Sequence, residues 1–127
     1  MTPSRYVEQD VTLALLSSIG DQTSGRFVLD FINLWETRSQ RLMNALSRHD
    51  FDEADVVLLS IRSSSTMLGA WPLEAIAGMV HAAVKRADLS SSLSHLARLR
   101  EVGAATCREL LALVEGLRPA HPIVGVS

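Results

Sequence analysis

With 127 residues, 47% of them hydrophobic and 20% charged, the chain has the size and balance of one globular domain that buries a core without disulfide or metal staples. A net charge of -2 and a pI near 6.0 leave no basic stripe for nucleic acid, the single cysteine, Cys107, excludes an internal disulfide, and no run approaches the roughly 18 apolar residues of a membrane span. The N-terminus, M-T-P-S-R-Y-V-E-Q-D, lacks the long apolar region of a signal peptide, so a cytoplasmic protein is the default expectation, and Met1 with two short tails favours a stand-alone one.

Residues 1–10 read as a polar lead-in. Asp10 is a candidate cap for a short helix over residues 11–18, whose apolar content is Val11, Leu13, Leu15 and Leu16; Gly20 ends it and residues 21–25 form a turn. A long helix follows at about residues 26–48, with Val28, Phe31, Ile32, Trp35, Ser39, Leu42 and Leu46 recurring at spacings of 3 and 4. His49 and Asp50 make the next turn. Asp50 is an N-cap with Glu53 three residues on, which is capping-box spacing. The third helix runs from about Phe51 to Leu68 and stops at Gly69. Pro72 sits in the first turn of a fourth, to about Arg86, whose inward face is Leu73, Ile76, Ala77, Val80 and Val84. After a break at residues 88–92, a last helix of about residues 90–117 carries Leu93, Leu96, Cys107, Leu110, Val114 and Leu117 in near-heptad order, interrupted by Arg100 and Gly103; Gly116, Pro119 and Pro122 end it. No strand pattern competes and no internal repeat is evident. Short connections predict antiparallel neighbours, hence an all-α antiparallel four-helix bundle with a short additional N-terminal helix: lead-in 1–10, bundle 11–117, tail 118–127.

Few side chains invite chemistry. None of His49, His81, His95 and His121 sits beside another ligand at metal-site spacing, and each reads as a boundary or solvated histidine. Cys107 falls on the core stripe with no basic partner a turn away, as an inert thiol does. Asp50, Asp52, Glu53 and Asp55 cluster where a helix dipole welcomes negative charge. No local motif puts a base beside Ser63, Ser64 or Ser65, and for Ser64 and Ser65 the close helix approach that small residues allow is explanation enough. These residues predict neither a catalytic group nor a metal or cofactor site.

The third helix is unusual in carrying two stripes. At about 100° per residue, Ala54, Leu58, Ile61, Ser65 and Leu68 face one way, while Val56, Leu59, Ser60 and Ser63 face the other. One stripe is core. The other, with the small Ser63 inside it, is a surface suited to a partner.

Residues 60–70 resemble the core of the histidine-containing phosphotransfer (HPt) domain, whose pattern is roughly H-x-L-K-G-S-S-x-x-L-G-A on the second bundle helix. Ile61 stands at its Leu, Arg62 at its Lys, Ser64 and Ser65 at the Ser pair, and Leu68, Gly69 and Ala70 at L-G-A. The stretch V-L-D-F-I-N-L-W is similar to the family's first bundle helix, and N-A-L-S-R-H-D-F-D-E-A-D to its usual approach to the motif, so the likeness covers most of residues 11–117. Two positions depart from it. Leu59 occupies the place of the phosphorylated histidine, and Ser63 that of the glycine over which a receiver domain approaches. Leucine has no nucleophile, and a phosphate ester on Ser60 would lack the transfer potential of phosphohistidine. The resemblance therefore implies a pseudo-phosphotransfer protein that docks a response-regulator receiver or a histidine kinase through Val56, Leu59, Ser60, Arg62, Ser63 and Met67, with no catalytic residue. Two other readings stand beside it: phosphotransfer through another histidine such as His81, and a helical-bundle module with an unrelated protein-interaction role or self-association through the same stripe.

Overall fold

The computed structural model describes residues 5–18 and 21–116. They form five helices: α1 (Gln9–Ser18), α2 (Asp21–Ser47), α3 (Phe51–Leu68), α4 (Trp71–Lys85) and α5 (Leu89–Gly116). No strand occurs among the described residues. Helix α2 packs on α3 and α5, and α4 packs on the same two, so four long helices enclose one core while α1 lies against α2 and α3.

The helix ends follow local chemistry. The Asp50 carboxylate accepts the Glu53 backbone N–H at 3.0 Å and starts α3. Only half a capping box forms, because the Glu53 carboxylate turns to α2 and accepts from Arg41 Nε at 2.6 Å. Gly69 closes α3 in the left-handed region at φ 73°. Alanine and histidine do the same work at the other two turns, Ala87 at φ 53° and His49 at φ 58°.

Asp88 then caps α5, accepting the Ser91 backbone N–H at 3.0 Å and its hydroxyl at 2.9 Å. The backbone bond from Ser91, then the hydroxyl bond, and lastly the charge of Arg86 hold this carboxyl below its ordinary value. A carboxyl depressed in the fold contributes stability that is fully present above its unfolded pKa and is lost as pH falls through the folded value. Asp88→Ala is therefore expected to lower stability at neutral pH and to flatten the acid side of the stability–pH curve, measured by urea unfolding at a series of pH values.

The core contains the expected stripes of α2, α3 and α4. Val28, Phe31, Leu42 and Leu46 of α2 meet Leu58, Ile61 and Leu68 of α3 and Leu73 and Val80 of α4, all essentially sealed from water. Phe31 and Trp35 stack with ring centroids 6.1 Å apart.

Four local expectations are corrected. Residues 21–25 are the first turns of α2 rather than a loop. Helix α1 begins at Gln9, so Asp10 lies inside it. Leu93 is exposed, because the inward stripe of α5 is Ser92, Leu99, Val102, Gly103, Thr106 and Leu110. Cys107 sits at the edge of that stripe, half-buried, and desolvation pushes its thiol up to about 11, which keeps it protonated and unreactive. The roles expected of Gly20, Leu117, Pro119, His121, Pro122 and the tail lie outside the described residues.

Gly103 is no interruption. A Cβ built there would lie 1.8 Å from Trp35 Cζ2, so the bare backbone of α5 is the surface on which the indole rests. Arg100 next to it reaches across to α2 and donates from Nε to the buried Ser39 hydroxyl at 3.1 Å.

The segment before α1 is also tied in. The Glu109 carboxylate of α5 accepts three successive backbone N–H groups, from Arg5 at 3.0 Å, Tyr6 at 3.0 Å and Val7 at 3.2 Å. Val7 is buried in the common core. At the other end of this strap, Glu8 N–H donates to Gly69 O at 2.9 Å and the Thr12 hydroxyl to Leu68 O at 2.6 Å. These two bonds satisfy carbonyls that the end of α3 would otherwise leave open.

Candidate docking face on helix α3

Helix α3 has two apolar sides in the folded chain. Ala54, Leu58, Ile61, Ser65 and Leu68 are all buried. Val56 and Leu59 are each 54% exposed and Met67 52%, with Ser63 exposed between them and Ser60 partly so. Of the six residues singled out from the sequence, four (Val56, Leu59, Ser63 and Met67) are exposed along one side of the helix, while Ser60 and Arg62 are partly buried. Two small hydroxyls, at positions 60 and 63, leave the helix backbone approachable between the larger side chains.

Arg62 behaves differently from a free surface cation. Its Nε donates to Glu74 Oε2 at 3.1 Å and its Nη2 lies 3.0 Å from the same oxygen. Its Nη1 lies 3.1 Å from His81 Nδ1. A guanidinium has only donors, so Nδ1 accepts and the ring proton sits on Nε2. That nitrogen donates to Asp55 Oδ1 at 2.6 Å. Lys85 Nζ stands 4.0 Å from the same carboxylate oxygen. Asp55, His81, Arg62 and Glu74 therefore form one chain of bonds across the α3–α4 seam, beside Leu59.

His81 is a buried residue, 3% exposed, where the sequence pointed to a boundary or surface histidine. Burial is tolerated because both ring nitrogens are paired. Among the described residues no cluster of three or more His, Cys, Asp or Glu side chains is arranged to hold a metal ion, and no helix is long and apolar enough to cross a membrane.

Sequence reasoning missed an exposed apolar row on α4 as well. Trp71 is 46% exposed, and Ala75, Met79 and Ala82 continue an open apolar row along the helix. The available signal was the spacing of 3 and 4 among these four residues, opposite the core stripe of the same helix. Gly78 lies on the α3 side of that row, and a Cβ there would meet Arg62 Cζ at 3.7 Å, an ordinary contact. Gly78→Ala is thus expected to stabilise the fold by about 0.5–1 kcal/mol through helix propensity alone, a rise in thermal midpoint with the Arg62 bonds intact.

No protein-family model, no curated protein and no solved structure matches the chain.

Proposed function

We propose that the chain is a pseudo-phosphotransfer docking protein of the cytoplasm. It binds a response-regulator receiver domain or a histidine kinase through the outer side of α3 and modulates a phosphorelay without carrying phosphate. The observation that carries this reading is the exposed row Val56, Leu59, Ser63 and Met67, with Leu59 at its centre where the HPt pattern keeps histidine. The helix order also supports it. Asp55 pairs with His81 and Arg62 with Glu74, so α3 and α4 run in opposite directions. Arg100 bonds Ser39 while Gly103 seats Trp35, and α2 and α5 are likewise opposed. We read the ring as the antiparallel four-helix bundle of that family, with α1 as an extra helix at one end.

A half-exposed leucine among small hydroxyls suits the apolar centre of a transient interface, where one anchor supplies much of the affinity. Arg62, held by Glu74 and His81, is pre-set in orientation, so a partner does not have to order it.

The test is isothermal titration of the chain against a panel of receiver domains and kinase phosphotransfer-accepting domains, with Leu59→Asp alongside. Leu59→Asp is expected to weaken binding at least ~10-fold, which is about 1.4 kcal/mol. Equal binding by wild type and variant would remove α3 from the interface. A doubled mass in sedimentation that Leu59→Asp abolishes, with no receiver or kinase bound, would transfer the surface to self-association.

A further inference from the structure

The bond between Arg62 and His81 holds in only one protonation state of the ring. Arg62 Nη1 is a donor 3.1 Å from Nδ1, and that contact is attractive only while Nδ1 carries a lone pair. Adding a proton puts an N–H on Nδ1 pointing at a guanidinium N–H and sets the buried imidazolium beside the partly buried guanidinium, two like charges in contact. The bond on the other side survives, since Nε2–H donates to Asp55 Oδ1 whether the ring is neutral or charged. Arg62 has a second anchor in Glu74, so it has somewhere to go without leaving α4.

We infer that His81 is a proton-sensitive latch: its neutral ring holds Arg62 flat across the α3–α4 seam, and protonation swings Arg62 away about Glu74. The charged groups facing the latch come from both helices of the seam, Asp55 and Arg62 from α3 and Glu74 and Lys85 from α4. Among the described residues, no hydrogen bond or ion pair ties a charged group of α2 or α5 to His81. The pattern has its own logic, because each anion opposes a base across the seam and the histidine alone has two roles, acceptor to one and donor to the other.

Arg62 lies three residues after Leu59, one turn along the helix, so its movement changes the rim of the exposed row. That second consequence, regulation of partner binding by pH, rests on the docking reading above. The latch itself does not.

The experiment is a nitrogen-15 NMR titration of the free wild-type protein from about pH 8 to pH 5, the range in which imidazole groups commonly change charge. At the upper end His81 is expected to show the Nε2–H tautomer, and the Arg62 guanidinium signals to show hindered rotation. As His81 gains its second proton, the Arg62 signals are expected to shift and to average. H81Q supplies an amide that accepts from Arg62 and donates to Asp55 but does not titrate, and its Arg62 signals are expected to stay constant. A neutral Nδ1–H tautomer, a ring that stays neutral throughout, or Arg62 signals that ignore the His81 titration would each overturn the latch. Because all of this is read without a partner, failure of the latch leaves the docking face standing. Failure to bind any receiver or kinase leaves the latch standing.

Discussion

Gly103→Ala is expected to cost about 3 kcal/mol of stability, the upper end of what one added methyl exacts from a packed core. The reason is geometric. The new Cβ would lie 1.8 Å from Cζ2 and 2.2 Å from Cε2 of Trp35, inside the ring itself. Trp35 cannot simply step aside, because it is almost fully buried and stacks on Phe31. Either α5 moves off α2 or the indole changes rotamer, and both open voids in a core packed to crystal-like density. Urea unfolding followed by tryptophan emission reads the loss. The cause is separable from any general intolerance of α5 by a second change. Trp35→Phe removes the very atoms that collide, so the double variant is expected to be more stable than the sum of the two single losses predicts. Simple additivity would mean that Gly103 matters for some reason other than the indole.

Gly69→Ala is expected to cost about 2–3 kcal/mol, from two sources. Its φ of 73° is a left-handed conformation that a side chain resists, and a Cβ there would come within 2.7 Å of Val11 Cβ in α1. Asparagine tolerates the conformation but carries the same Cβ. Gly69→Asn is therefore expected to recover the part of the loss due to the backbone and none of that due to the collision. The damage is expected to spread to α1, whose start is fastened to this turn through Glu8 and Thr12. Hydrogen exchange checks this directly: amides of α1 become fast while those of α4 change little.

These two glycines mark where sequence reading succeeded and where it stopped. Gly69 was legible as a helix end, because a glycine after an apolar-periodic run signals a left-handed cap. Its contact with Val11 was not, since nothing local says which helix covers a turn. Gly103 read as a break in the α5 stripe for the opposite reason. The true stripe passes through Ser92, Gly103 and Thr106, small or polar residues that an apolar pattern discounts, and Leu93 offered a false alternative beside it. Thr106 is buried there because its hydroxyl donates to Val102 O one turn back at 2.7 Å, which spares it a partner on another helix.

The exposed outer row of α3 was legible because it depends on one helix only. Periodicity separates Leu58 from Leu59 without any knowledge of neighbours. The Asp55–His81–Arg62–Glu74 chain depends on two, and His81 taken by itself looked like a boundary residue. A clue was nevertheless present. Asp55 and Arg62 are seven residues apart, and so are Glu74 and His81, which places each pair on one flank of its helix. Laid side by side in opposite directions, acid meets base twice. The signal became readable only once the direction of α4 against α3 was in hand.

The strap held by Glu109 bears on the order in which the chain assembles. Its three bonds join residues that are 102 to 104 positions apart. Closing a loop of roughly 100 residues costs about 4 kcal/mol in chain entropy, too much for three hydrogen bonds to meet while the rest is unformed. Once α2 to α5 have come together, only the short stretch ahead of α2 remains to be folded back, and closure costs about 2 kcal/mol. The strap and α1 are therefore expected to dock last during folding and to release first during unfolding. A variant such as Glu109→Gln should leave the folding rate nearly unchanged and accelerate unfolding, so that one carboxylate governs how long the native state lasts without governing how fast it is reached.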